Sequence, residues 1–171
     1  MSIQKQYLTL RVGEATYGIG IHKVREVVTY ETPSPMPNSS GCMTGVIRLR
    51  GNAVPVLDLR LKFGLPEIKA TVDTCIIILE LEVKQTKSLI GITADMVQQV
   101  AEFGKEDLEE PPCQTDGESA GWIQAMARFE DGFVILLDID KTLEQDTLTT
   151  VHEEIYDPNG GLENNITELQ L

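Results

Sequence analysis

Aromatic residues are scarce in this chain, and it has no hydrophobic run long enough to span a membrane. Only 5% of the residues are Phe, Trp or Tyr, and the net charge is −13. Proteins that bind single-stranded nucleic acid combine basic grooves with stacking aromatic side chains, and an acidic chain is poorly suited to phosphate backbones. A membrane-spanning helix needs roughly 18 apolar residues in succession. We therefore expect neither nucleic-acid binding nor direct membrane insertion.

Cysteine and histidine are also few. The three cysteines, Cys42, Cys75 and Cys113, lie far apart and form no C-x-x-C motif. This scattered, odd-numbered set predicts a reducing compartment and no disulfide framework. The two histidines, His22 and His152, stand at no spacing typical of a zinc site. The first residues lead into a strand pattern without the apolar core of a signal peptide. The sequence thus predicts a cytoplasmic protein without a metal or cofactor.

No catalytic motif is present. The sequence contains no G-x-S-x-G, phosphate-binding P-loop or H-E-x-x-H pattern. Asp138 and Asp140 could be imagined as a pair of metal ligands, but two potential helix caps explain them more simply. We predict that the protein is not an enzyme and has no catalytic residues.

Charge is divided unevenly along the chain. Residues 1–70 contain nine Lys or Arg and five Asp or Glu, whereas residues 71–171 contain five and twenty-two. No Lys or Arg follows Lys141, and Asn159-Gly160-Gly161 would interrupt a helix. Residues 151–171 are therefore predicted to form an acidic tail that beyond about residue 157 docks weakly or is mobile. The acidic half can serve solubility, while the basic half can face an acidic partner.

The most informative stretch is residues 45–60, which predict a β-hairpin followed by a short helix. Two apolar strands flank Gly51-Asn52, which we interpret as a two-residue turn. Arg48 and Arg50 are two residues apart and should share one side of a strand. Asp58 can cap the helix, and Gly64 can end it.

The same sequence pattern occurs twice. Residues 17–27 match 90–100, with Gly, Ile and two Val identical, and the hairpin at 48–59 matches 128–139. Each unit reads as five short strands with a helical turn, which we place at 22–28 in the first unit and at 94–101 in the second. A last helix should begin near Lys141.

Five short strands bury little as an open sheet, so closure into a small barrel is expected. The fold class predicted is all-β with short helices: two five-stranded barrels packed together over a third apolar layer, with a C-terminal helix. The barrel units span roughly 6–66 and 73–140 within a domain at 1–150, and the exchange of strands between them is left open. We predict one core around Leu10, Ile19, Val54 and Val56, and another around Ile77, Ile92, Val134 and Leu136.

Several of these motifs resemble those of the CheW-type chemotaxis coupling proteins. The resemblance rests on Gly-Val-Ile-Arg-Leu-Arg-Gly at 45–51, Val-Pro-Val-Leu-Asp-Leu-Arg at 54–60, Tyr-Gly-Ile at 17–19, and Ile-Leu-Leu-Asp-Ile-Asp-Lys at 135–141. It covers roughly residues 6–143. It implies a non-catalytic adaptor with two SH3-like barrels that joins the cytoplasmic tips of membrane chemoreceptors to the CheW-like regulatory domain of the histidine kinase CheA. The expected location is the cytoplasm, at receptor arrays.

The resemblance also implies the partner-binding residues. The family's receptor-contacting arginine corresponds to Arg50, and residues tied to coupling correspond to Val24, Glu26 and Gly45. Arg48 stands where the family often has Asn and adds a charge beside the proposed contact. Each residue also has a simpler interpretation: Val24 matches Val97 and suits core packing, while Glu26 and Arg50 could be surface charges that form an ion pair. The position matching Arg50 is Glu130, so the fold does not require arginine there. A small barrel that binds nucleic acid is the alternative function, disfavoured by charge.

Overall fold

A computed structural model describes residues 5–37, 41–112, 121–144 and 146. In these residues the fold is built from eleven strands and a few short helical turns. The strands are β1 (Lys5–Val12), β2 (Ala15–Gly20), β3 (Val24–Thr29), β4 (Met43–Leu49), β5 (Asn52–Asp58), β6 (Cys75–Val83), β7 (Thr86–Ala94), β8 (Met96–Phe103), β9 (Leu108–Glu109), β10 (Ile123–Phe129) and β11 (Gly132–Leu137). The α-helical turns are α1 (Leu59–Lys62) and α2 (Ile139–Thr142), and Ile21–Lys23 and Lys105–Asp107 form 3-10 turns.

The strands form two sheets that exchange their hairpins. One sheet has the order β3-β6-β7-β5-β4, and the other has the order β8-β1-β2-β11-β10-β9. The internal repeat relates β6 to β1, β7 to β2, β3 to β8, β4 to β10 and β5 to β11. Under this relation the order of the first sheet becomes that of the second, apart from the short β9. Each barrel therefore combines the first two strands of one unit with the last three strands of the other, which answers the question that the sequence left open.

Parallel pairing joins the two units within each barrel. β5 pairs with β7, with Val56 opposite Gly91, and β11 pairs with β2, with Leu136 opposite Gly18. The remaining ladders are antiparallel. One face of β1 lines the interior of its own barrel, and the opposite face packs toward the other barrel; β6 is placed in the same way. Both faces of β1 are therefore buried, so Tyr7 and Thr9 are buried as well as Leu8 and Leu10.

Buried apolar residues form three clusters, as two packed barrels with a layer between them require. One barrel encloses Val54, Val56, Ile76 and Ile78, and the other encloses Tyr7, Phe103, Val134 and Leu136. The largest cluster, which we call the middle layer, lies between them. The predicted division of the core was partly wrong. Leu10, Ile19, Ile77 and Ile92 are all 0% exposed, but they lie in the middle layer and not inside a barrel.

The two predicted helical turns are another correction. Only Ile21–Lys23 is helical in the first unit, and the valines that follow belong to β3. In the second unit, the segment predicted as a turn from Ala94 is mostly β8. The valines at 24, 27 and 28 are β-branched and pair with β6. The backbone is therefore extended here, although the spacing of these valines also fits one turn of a helix.

The end of the hairpin at 45–60 follows the local signals of the sequence. The Asp58 carboxylate accepts a hydrogen bond from the backbone N–H of Arg60 at 2.9 Å, which caps α1. Gly64 follows with a φ of 79°, a conformation that favours glycine at a helix end. Asp138 caps α2 in the same way through the backbone N–H of Lys141.

Within the described ranges, no helix has the length and apolarity to cross a bilayer. Cys113, His152 and the predicted acidic tail at 151–171 lie outside the described residues.

Candidate functional site

Arg50 lies at the tip of the β4–β5 hairpin, which we call the basic hairpin. Leu49 pairs with Asn52, so the two turn residues are Arg50 and Gly51 and not Gly51 and Asn52 as predicted. Both have positive φ, 51° at Arg50 and 85° at Gly51, as expected for the tight turn that suits the twist of a hairpin. Arg50 therefore projects from the tip and does not share a strand face with Arg48.

Glu26 holds the Arg50 side chain. The guanidinium donates two hydrogen bonds to the Glu26 carboxylate, one from Nη2 to Oε1 at 2.9 Å and the other from Nη1 to Oε2. The Arg50 side chain is 69% exposed, whereas the Glu26 side chain on β3 is 25% exposed. The paired planar groups fix the direction in which the guanidinium faces solvent.

The charges of this pair reinforce one another. The hydrogen bond from Arg50, aided by the positive charges of Arg50 and Arg25, lowers the pKa of Glu26, and the hydrogen bond to Glu26 raises the pKa of Arg50. A carboxyl group with a lowered folded-state pKa contributes stability above its unfolded pKa and loses it as the pH falls through the folded value. The pair is therefore complete at neutral pH and is lost only in acid.

Gly45 supports the basic hairpin through its backbone. It has a φ of 149°, and a Cβ atom at this position would lie 2.2 Å from the carbonyl oxygen of Ser34. Ser34 and Val46 exchange two backbone hydrogen bonds of 2.8 and 2.9 Å, which attach the proline-containing loop to β4. Only glycine fits between these backbones, so the structure gives Gly45 a positioning role.

Val24 and Arg48 complete the set of predicted site residues. Val24 is half-buried at the start of β3 and packs against the middle layer, consistent with the simpler interpretation of core packing. Arg48 is exposed on β4 opposite Ala53, and no acidic side chain within the described residues forms an ion pair with it. The structure thus brings Glu26 and Arg50 into contact. Val24 lies on β3 with Glu26, Gly45 lies on β4, which leads to the turn, and Arg48 is exposed on β4.

Comparison with known proteins places this architecture in a family. The family model for the CheW-like domain matches residues 6–147. The chain belongs to the CheW family. It is 31% identical over 144 residues to the chemotaxis protein CheW of Treponema pallidum, with 81% of each chain covered. It is 27% identical to the chemotaxis protein CheW of Klebsiella aerogenes, with 88% of each covered. The crystal structure of the scaffolding protein TtCheW from Thermoanaerobacter tengcongensis superposes with a TM-score of 0.68 at 28% identity, covering 80% of this chain and 90% of that one.

Membership of the CheW family confirms the predicted fold class of two SH3-like barrels and makes the chain a chemotaxis scaffold and not a catalyst. The chemistry of the site is accordingly that of recognition. In the part of the chain that the structure describes, no group of three or more His, Cys, Asp or Glu side chains could hold a metal ion. Burial raises the pKa of the thiols of Cys42 and Cys75, which keeps both protonated and poorly nucleophilic.

One exposed residue next to Glu26 was missed in the sequence. Val27 is 42% exposed on β3, next to Glu26. Side chains alternate along β3 between half-buried and exposed positions, so Val27 faces solvent with Arg25 and Thr29. Reading residues 22–28 as a helical turn hid this alternation. A strand interpretation of the same valines would have revealed an exposed aliphatic side chain on the outer face of β3, next to Glu26 in sequence.

Proposed function

We propose that this protein couples membrane chemoreceptors to the histidine kinase CheA, with the Arg50 tip of the basic hairpin as the receptor contact. The observation that carries the proposal is that Arg50 is exposed and held in place by Glu26, while the equivalent turn position in the second barrel is Glu130 with nearly the same φ of 54°. The backbone accepts either charge at this turn. The arginine is therefore better explained by a partner than by folding.

The Arg50–Glu26 pair restricts the arginine side chain and leaves some of its N–H donors available to a partner. A guanidinium has five N–H donors, and Glu26 accepts from only two of the nitrogen atoms. The donors that face solvent can bind carboxylates or carbonyl groups of the receptor. Because Glu26 already restricts the long side chain, less conformational entropy is lost when the partner binds.

The same proposal includes the location and the other partner. The protein acts in the cytoplasm at receptor arrays, and a surface distinct from the Arg50 tip binds the CheW-like regulatory domain of CheA. The strands on either side of the pair also carry Val27, which follows Glu26, and Arg48, two residues before Arg50, as an exposed aliphatic side chain and an exposed positive charge. Such a combination of apolar and arginine side chains is common at the centre of protein interfaces.

Replacement of Arg50 by Glu tests the proposal. We expect the variant to melt within about 3 °C of the wild type, because the contact is exposed and the turn conformation accepts glutamate. Receptor-dependent activation of CheA should fall by about tenfold or more, since a repulsive charge replaces a central arginine. Binding of the CheW-like regulatory domain of CheA should persist. The measurements are thermal melting, kinase activation in reconstituted receptor arrays, and binding of CheA in the absence of receptor.

Lys84→Glu provides a matched control. Lys84 also lies in a two-residue hairpin turn with a positive φ, 53°, and is exposed, so the charge change and the local backbone are the same. This variant should couple normally. If Arg50→Glu unfolds the protein, Arg50 is structural. If it is stable and couples as well as Lys84→Glu, the contact lies elsewhere, and Val24 and Glu26 become the next candidates.

A further inference from the structure

The β10–β11 hairpin is the repeat counterpart of the basic hairpin but has different chemistry at its end. Its turn residues are Glu130 and Asp131, which we call the acidic tip, in place of Arg50 and Gly51. Phe133 follows and takes the place of Ala53. It is 49% exposed, which makes it a large aromatic side chain half in water on the outer surface of β11.

The fold itself does not account for this phenylalanine. The equivalent strand β5 carries the small Ala53 at the same distance from its turn and forms the same pairing with its neighbour, opposite Arg48. The barrel interior next to Phe133 is filled by Val134 and Leu136, which point to the opposite face of β11. An exposed aromatic residue that packing does not require is a typical anchor of protein interfaces.

Carboxylate side chains belong to the turns at the Phe133 end of β11. The acidic tip precedes it in sequence, with only Gly132 between them. Val134 pairs in parallel with Thr16, and continuing this register by two residues sets Glu14, in the β1–β2 turn, opposite Gly132 at the start of β11. Glu14, Glu130 and Asp131 are all exposed, and none of them forms an ion pair with a cation within the described ranges.

The arginine that faces Phe133 on the neighbouring strand is already engaged. Arg128 lies opposite Phe133 in the β10–β11 ladder. Its guanidinium donates to the Glu109 carboxylate at 2.6 Å and to the backbone carbonyl of Glu106, on the β9 side of the hairpin. Arg128 is therefore directed away from Glu130 and Asp131 and toward the β9 side.

We propose that Phe133 and the acidic tip form a second docking surface, which binds an arginine-bearing segment of a partner protein. The guanidinium would lie over the Phe133 ring and donate hydrogen bonds to the carboxylates of Glu14, Glu130 and Asp131. A planar guanidinium can stack on an aromatic ring and bind carboxylates at the same time, whereas an ammonium group is a compact and strongly hydrated charge. The surface is thus the charge-reversed counterpart of the Arg50 tip, in the other barrel.

A short peptide tests this surface in the intact protein. The probe is acetyl-Gly-Leu-Arg-Leu-Arg-Gly-amide, and the control peptide carries citrulline, which has the shape of arginine without its charge, at both arginine positions. We expect saturable amide chemical-shift changes confined to residues around 130–134 and 13–16, with a dissociation constant in roughly the millimolar range. The citrulline peptide should cause no saturable change.

Phe133→Ala and Glu130→Arg are the deciding variants, because each introduces a residue type that the basic hairpin already carries at the matching position. Both should melt like the wild type, and each should raise the dissociation constant of the peptide at least fivefold. Phe133→Tyr should retain binding because it keeps the aromatic ring. The proposal would be overturned if the wild type showed no saturable binding up to about 10 mM peptide. It would also be overturned if both variants bound the peptide as tightly as the wild type does. A third outcome would also overturn it: the wild type self-associates in sedimentation experiments, and both Phe133→Ala and Arg50→Glu abolish this association. The occupant of the surface would then be a second copy of this chain.

Discussion

At the scale of single residues, the structure moves Arg50 from a strand to a turn. The sequence correctly indicated a tight hairpin, but the turn was placed one residue too late, at Gly51-Asn52. Asn-Gly is the favoured order for such turns because both residues tolerate positive φ. Here the order is Gly-Asn, and the arginine before it takes the positive φ of 51° instead. Composition rules give arginine no preference for this conformation, so its place at the tip could only be seen from the Leu49–Asn52 pairing.

Gly45 leads to a prediction at the same scale. Gly45→Ala would place a methyl group 2.2 Å from the Ser34 carbonyl oxygen at a φ of 149°. Since the obstacle is backbone, the loop must leave β4 or the strand must shift. We expect a loss of about 2–4 kcal/mol in the free energy of unfolding, measured by urea denaturation.

Gly132→Ala is the matched control for this experiment. Gly132 begins β11, its φ is not positive, and nothing lies within 4 Å of an added Cβ. Its stability should change by no more than about 0.5 kcal/mol. If Gly45→Ala were equally stable, the Ser34–Val46 attachment would not depend on glycine. Any role of Gly45 in coupling would then require a direct partner contact.

At the scale of elements, local signals predicted the capping residues of the two α-helical turns well and strand partners poorly, and the last helix begins at Ile139, two residues before the predicted Lys141. Asp58 and Asp138 were both proposed as caps, and both carboxylates accept backbone hydrogen bonds there. A cap depends on residues two or three positions away, which the sequence displays directly. The strands β3 and β8 depend on pairing with β6 and β1, which lie far away along the chain. Tertiary pairing overrode the weak helical spacing of the valines in both units.

The repeat also placed one kind of ion pair in both barrels with the charges reversed. Arg60 on α1 binds Asp95 after β7 at 2.6 Å, and Asp140 at the matching position of α2 binds Lys23 after β2 at 2.7 Å. Both pairs connect a short helix to the end of a strand that pairs in parallel. The helix positions match in the repeat, but the strand-side partners differ by one residue, since Asp95 matches His22 and the lysine follows it at Lys23.

We predict that the two pairs differ in their contribution to stability. The side chains of Arg60 and Asp95 are 14% and 22% exposed, and Asp95 also accepts from the backbone N–H of Gly13 at 2.8 Å. Arg60→Gln should therefore lower the free energy of unfolding by about 1–3 kcal/mol, since it leaves a partly buried carboxylate without its cation. Lys23 and Asp140 are 27% and 44% exposed, so Lys23→Gln should cost less than about 1 kcal/mol. Equal losses in urea denaturation would show that burial does not distinguish the pairs.

At the scale of the whole molecule, the sequence revealed the duplication but not the exchange of strands. The two copies have the same pattern, so β2 is as compatible with β5 as with β11, and periodicity cannot choose between them. The structure pairs β2 with β11 and β5 with β7. Neither half of the chain can therefore close a barrel by itself. The same exchange explains why Leu10, Ile19, Ile77 and Ile92 fill the layer between the barrels: the first hairpin of each unit forms its inner wall.

The middle layer also determines how stability should depend on alkaline pH. Cys42 is 4% exposed and Cys75 is 8% exposed in this layer. Burial, followed by the charge of Asp146 and the hydrogen bond to it, raises the pKa of Cys42 from 9.0 to about 12. Burial alone raises the pKa of Cys75, Tyr7 and Tyr17. The folded protein thus keeps protons that the unfolded chain releases.

The sign of the effect follows from this difference in bound protons. Below about pH 9 the Cys42 thiol is protonated in both states, and its contribution to stability is constant. Between about pH 9 and about 12 the unfolded state binds fewer protons, so the free energy of unfolding should fall by up to about 1.4 kcal/mol per pH unit for this thiol. Urea midpoints at pH 8, 9.5 and 10.5 measure the fall, and Cys42→Ala should reduce its slope despite a lower stability at pH 8. A profile that stays flat over this range, or native-state alkylation of Cys42 at the rate of a free thiol, would mean that the layer between the barrels opens without unfolding.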